Sequence, residues 1–269
     1  YWWDRLLVAA TERDFSGQKE LLSSHNTKLD FVWNSLGCFT WGLVFPLLTI
    51  VVTQRCGVDD AGMFSMAFVI ANLLMIVGNF GMRTFQVSDI KEKHSFIDYR
   101  ISRVLSCVVM MLVAFAYFAI RGYQGQMYTV CVGMCLYKAC DAFADVYEGR
   151  LQQIDKMYLA GVSLTVRSIL CFLAYTICVL ITGDIGISSI VMAAFGVASL
   201  LFCTIPLALF ESPKSRGFVL SSFAELLRTC WPVFAALFLY ALIDNMPKFV
   251  MEGPLGYDNQ LYFNALYIP

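Results

Sequence analysis

The chain has 269 residues, of which 59% are hydrophobic and only 14% charged, and its formal net charge is −1. Its mean hydropathy is +0.67. Soluble domains carry about a quarter charged residues, so a water-soluble globule is excluded and the length is best counted in spans of about 20 apolar residues. The net charge alone points to no partner, and no nucleic acid is expected.

Residues 1–28 mix acids and bases with short apolar stretches such as WW and LLVAA. They are too charged for a signal peptide and are read as a cytoplasmic leader. Seven apolar runs follow, at 31–54, 61–82, 104–120, 122–137 (extending into a polar stripe), 157–183, 185–210 and about 223–243, and an eighth begins near Asn259. Their length and continuity predict helices rather than barrel strands, which alternate over about 10 residues. Pro46, Pro206 and Pro232 lie within or near the ends of spans. Membrane helices tolerate such prolines where neighbours satisfy the freed carbonyls. The expected fold class is an all-α polytopic membrane protein.

Lys and Arg gather in the leader, in 83–103, in 138–156 and in 212–222, whereas Arg55, Arg121 and Lys248 fall at the other ends of the spans. By the positive-inside rule the N-terminus and the loops after spans two, four and six are cytoplasmic. Trp33 and Trp231 stand near those same span ends, where amphipathic rings prefer to sit. The expected location is the cell (cytoplasmic) membrane, multi-pass, with residues near Asp59 and Gly183 outside and Lys91 inside.

Charge enters the apolar region between Lys138 and Arg167. Lys138, Asp141, Asp145, Glu148 and Gln152 follow at steps of three and four residues, which places them on one helical stripe. Arg167 lies inside the next apolar run. A charge there costs about 2.5–3.5 kcal/mol on insertion scales and has to face a protein interior or a water-filled cavity. The ten cysteines contain no CxxC, and the two histidines, His25 and His94, are remote from them; most read as small buried residues. No phosphate-binding loop, G-x-S-x-G or metal-ligand cluster occurs. No catalytic residue, metal or cofactor is expected, and the chain is not read as an enzyme.

Gly57-x-Asp59 before Phe64 and Ser65 has a counterpart in Gly256-x-Asp258 before Phe263 and Asn264. Six spans separate the copies, so both keep one orientation, as in a parallel repeat.

Three stretches carry a family resemblance. Residues 81–103, GMRTFQVSDIKEKHSFIDYRISR, resemble the loop after the second span of bacterial polysaccharide-repeat flippases, with Arg83, Gln86, Asp89, Tyr99 and Arg103 at its motif positions. Residues 145–167 resemble the family's connection between spans four and five, and 245–256 resemble the start of its second lobe. These flippases belong to the multidrug/oligosaccharidyl-lipid/polysaccharide superfamily. The resemblance covers about residues 29–269 and implies a MATE-like bundle of two six-helix lobes. Residues 29–220 would then form the first lobe and 221–269 the opening of the second. The chain ends within an apolar run, so it is expected to be part of a longer protein.

The resemblance implies a substrate, an undecaprenyl-diphosphate-linked oligosaccharide moved across the membrane for lipopolysaccharide O-antigen or capsule synthesis. Membrane lipids and a polysaccharide polymerase are the implied partners, with coupling to a proton or sodium gradient. Arginine offers a planar bidentate fork for phosphate, so Arg167 and Arg228 are candidate substrate cations. The alternatives are an interior salt bridge from Arg167 to Asp141 or Asp145, and snorkelling of Arg228 to the interface. Asp141 and Asp145 either bind sugar hydroxyls, carry coupling protons or mark the solvated end of span four. Asp244 and Lys248 form either an outer gate or an ordinary exit loop. The 83–103 loop is expected to be solvated and to face lipid headgroups. Rival functions are a drug or cation antiporter of the same fold, which the absence of an acid in 31–54 disfavours, and a membrane-embedded polymerase or acyltransferase.

Overall fold

The computed structural model describes residues 27–89, 92–212, 217–218 and 220–251. Every regular element among them is helical: α1 (Thr27–Cys56), α2 (Val58–Asn79), the short α3 (Met82–Ser88), α4 (Phe96–Arg121), α5 (Gly125–Gln153), α6 (Met157–Thr182), α7 (Ile185–Ser199), α8 (Ile205–Glu211) and α9 (Leu220–Met251). A wide π-type turn, Leu200–Thr204, joins α7 to α8. Six of these helical stretches are long and apolar enough to cross a membrane, α7 and α8 counting as one. The chain is an all-α, multi-pass membrane protein.

The seventh long helix, α5, is less apolar and sits in the middle. It packs against α2, α6 and α7, and its buried face includes Lys138, Asp141, Glu148 and Arg150. Lipid-facing side chains belong to the outer helices, where Phe39, Leu112, Ile177 and Phe202 are exposed. The arrangement is that of a bundle that hides its polar helix behind apolar ones, since lipid offers no solvation to a charge.

Helix ends are fixed by local chemistry. Ser95 and Asp98 form a reciprocal capping box at the start of α4, and Asp184 accepts from the Gly186 and Ile187 N–H groups to open α7. Asp30 on α1 accepts from the Tyr158 N–H at 2.7 Å, capping α6 from a neighbouring helix and meeting its positive end. Pro206 lies one residue into α8. Proline lacks the donor that an unbroken helix needs, and the preceding wide turn takes up the mismatch.

Contacts between helix ends set which ends lie together. Lys156 pairs with Glu211 at 2.7 Å, Arg150 with Glu92 at 2.7 Å, and Lys93 with Glu225 at 2.6 Å. These join the start of α4, α6 and α9 with the end of α5 and α8, forming the charged end of the bundle. At the opposite end Arg55 Nε donates to the Leu180 carbonyl at 3.4 Å.

The helices outrun the apolar stretches that predict them. The fourth span runs on through the polar stripe to Gln153, as its helical spacing predicts, and the last, expected over about 223–243, runs from Leu220 through Pro232 and Pro247. Asp244 and Lys248 therefore stand on α9 and not in an exit loop. The expected repeat at Gly256, the eighth span and residues 1–26 of the leader lie outside the described residues, while Lys28 is already part of α1. Of residues 221–269 the described part is the one helix α9, which packs on α2 and α4.

Candidate functional site

The stripe on α5 is met by cations from three other helices. Arg167 on α6 donates through Nε to Asp141 Oδ1 at 2.9 Å and through Nη1 to Glu148 Oε1 at 2.6 Å. Those acids lie two turns apart on α5, so a single guanidinium spans the stripe. Its third nitrogen, Nη2, makes no hydrogen bond among the described residues. Asp141 also accepts the Trp41 indole N–H from α1 at 3.0 Å. Glu148 accepts from Ser163 at 3.2 Å, and Ser163 shares a 2.8 Å hydrogen bond with Thr204 in the wide turn.

Toward the charged end, Asp145 takes two arginines. Arg83 on α3 pairs with its Oδ1 and reaches Gln152 at 3.0 Å. Arg103 on α4 donates to Asp145 Oδ2 at 2.7 Å, to the Gly78 carbonyl at 3.0 Å and to Asn79 Oδ1 at 2.9 Å. Arg103 thus ties α2, α4 and α5 together with a fully buried side chain. Buried carboxylates and guanidiniums persist only when paired and hydrogen-bonded, and here every acid of the stripe meets at least one arginine.

Between α1, α2, α3, α5 and α6 lies a cavity of about 220 Å³, lined among others by Trp41, Arg83, Asp141, Asp145, Glu148 and Arg167. It is smaller than the roughly 300–1,000 Å³ of sites for drug-sized ligands, which limits its occupant to a small group and water. Lys138, Arg83, Arg103 and Arg167 are set against Asp141, Asp145 and Glu148, so the cluster carries one positive charge in excess.

The other expected residues divide clearly. Arg228 is exposed on α9 and does not line the cavity, so the structure does not unite it with Arg167. Lys248 donates to Asn245 Oδ1 at 3.0 Å within α9. The salt bridge foreseen between Arg167 and Asp141 is present, joined by Glu148, whereas Asp145 is taken by Arg83 and Arg103. Among the described residues no cluster of His, Cys, Asp and Glu is suited to a metal ion.

The expectation of a solvated 83–103 loop is corrected. Gln86 is buried and donates to the Val146 carbonyl at 2.8 Å. Asp89 folds the turn by accepting the N–H groups of Lys93 and His94 at 2.7 and 2.9 Å and the Tyr99 hydroxyl at 3.4 Å. Its own carbonyl accepts from Gln153 at 2.6 Å. Among the described residues of this segment, polar groups are held by contacts within it and to α5 and α9. Lys93 remains exposed, and the hydrogen bond it donates to Glu225 raises its ammonium above the ordinary value.

Glu148 stood on the stripe in the sequence but its role as the second acceptor of Arg167 did not. Trp41, Ser163 and Thr204 carried no signal, being ordinary residues of apolar runs. When the chain is compared with protein-family models, curated proteins and solved structures, none matches it.

Proposed function

We propose that this chain belongs to a transporter of the cytoplasmic membrane that flips a lipid-diphosphate-linked oligosaccharide for cell-surface polysaccharide synthesis. The observation that carries the reading is Arg167, buried among membrane helices yet lining a small polar cavity with a spare guanidinium nitrogen. A diphosphate group crossing a bilayer needs a fixed cation to replace its water, and arginine supplies one at any working pH. The cavity accommodates a phosphate-sized group and excludes an oligosaccharide, so the sugars travel in the space toward a second lobe. Lobe rocking then exposes the head group first to one face and then to the other. The lipid tail stays in the bilayer throughout. The motif resemblance at 81–103, 145–167 and 245–256 supports the same assignment, as does the clustering of Lys and Arg at one end, which favours a cytoplasmic N-terminus.

The test is complementation of polysaccharide export by the full-length protein, with membrane insertion checked by immunoblot. Arg167→Ala is expected to abolish export, and Arg167→Lys to retain part of it, because lysine keeps the charge but not the fork. Wild-type export by both inserted variants would remove Arg167 from the mechanism and the reading with it.

A further inference from the structure

One cation of the cluster is held unlike the others. Lys138 is 1% exposed, and its ammonium sits within three aromatic rings, 4.6 Å from the centroid of Trp41, 4.5 Å from Phe68 and 5.1 Å from Tyr137. Its carboxylate neighbour, Asp141 Oδ2, is at 3.7 Å, beyond a hydrogen bond. The same Asp141 oxygen already accepts the Trp41 indole, and the other oxygen belongs to Arg167. Three arginines match three carboxylates without Lys138, so Lys138 supplies the excess charge. The titratable groups facing it are Tyr137 and Asp141 on its own helix and Arg167 and Cys171 on α6; α1 and α2 present Trp41 and Phe68.

Arginine does not release its proton in proteins, whereas a buried lysine can. Losing the Lys138 proton takes the cluster from one positive charge to none while leaving every arginine–carboxylate pair intact. Trp41 and Asp141, which contact Lys138, also line the cavity, so that change is felt by whatever occupies it.

We infer that Lys138 is the proton-binding site tied to occupancy of the cavity, which takes a phosphate or diphosphate group together with one proton on the Lys138 amine. The inference rests on the proposed reading of the cavity as a head-group site. Linkage makes the coupling reciprocal: the anion raises the proton affinity of Lys138, and the proton raises the anion affinity. The occupied state holds more protons than the empty one, so affinity is full below the empty-state titration of Lys138 and falls about tenfold per pH unit above it, until the titration of the occupied state is reached. Arg167 anchors the anion, and Lys138 sets the pH range over which it stays. A proton therefore accompanies the anion and does not exchange for it.

Calorimetry on the purified full-length protein with farnesyl diphosphate as probe tests this. Titrations in two buffers of different ionisation enthalpy, from neutral to alkaline pH, give the protons taken up per anion bound. Wild type is expected to take up close to one proton more than Lys138→Arg, which is permanently charged, so the titration of the probe itself cancels in the difference. Lys138→Met is expected to bind about tenfold or more weakly, with the same uptake as Lys138→Arg. Equal uptake in wild type and both variants overturns the assignment to Lys138 while leaving the head-group reading in place. Absence of probe binding by wild type overturns the head-group reading itself. Should either variant fail to insert, pH-independent affinity of the wild type, corrected for the probe, overturns the inference unaided.

Discussion

Asp145 is the residue on which the charged network is most dependent, because among the acids of the α5 stripe it is the one paired with two guanidiniums, from Arg83 and Arg103. Arg103 is completely enclosed, and removing its carboxylate strands a charge without water. Asp145→Ala is expected to cost about 3–5 kcal/mol, the usual penalty for breaking a buried pair. Replacing both partners by apolar residues of similar volume, Asp145→Leu with Arg103→Met, is expected to cost less than the single change. Thermal unfolding in detergent measures both, and a double variant less stable than the single one would contradict the account. At this scale the sequence was legible in part. Spacing along one helix placed Lys138, Asp141, Asp145, Glu148 and Gln152 together, since periodicity is a local property. Which arginine served which acid was not legible, because Arg83, Arg103 and Arg167 come from three separate helices. Trp41 was invisible for a plainer reason: its indole acts through one N–H on an otherwise apolar ring.

Helix contacts turn on glycines set against a neighbouring helix at close range. A Cβ on Gly161 of α6 would overlap the Trp33 carbonyl of α1, and one on Gly133 of α5 would come within 2.6 Å of the Ser189 Cβ of α7. Small residues let membrane helices approach closely and pack by van der Waals contact. Gly42, by contrast, would meet nothing within 4 Å. Gly161→Ala is expected to destabilise by about 1–3 kcal/mol through overpacking, whereas Gly42→Ala is expected to be neutral or to stabilise by up to about 1 kcal/mol. Unfolding midpoints in one detergent compare them, and equal effects would mean that the α1–α6 approach is not tight. Span boundaries failed at this scale in one consistent way. Hydropathy ended the runs near Asp30 and Arg103, yet α1 and α4 pass through both, whereas at Lys138 the spacing of the polar stripe carried the helix on. A charge ends an apolar run but not the helix, and it is kept within the bundle where another helix supplies its partner.

The molecule as a whole has two unlike ends, and its polytopic all-α character was plain from composition because long uncharged runs admit few other structures. Asp59 and Lys93 are exposed at opposite ends of the bundle. In a background freed of native cysteines, Asp59→Cys is expected to react with an impermeant maleimide in intact cells, and Lys93→Cys only after permeabilisation. The reverse pattern would invert the orientation drawn from Lys and Arg placement. The pairing of Arg167 with Asp141 and Glu148 also bears on biogenesis. Helix α5 is not among the stretches apolar enough to cross alone, and α6 carries a cation whose counterions were all synthesised before it. Arg83 and Arg103 leave the ribosome in time to receive Asp145, but the neutralising partner of Glu148 arrives last. The α5–α6 hairpin therefore has to linger at the translocon and partition sideways as one unit, its charges already cancelled before either helix meets acyl chains.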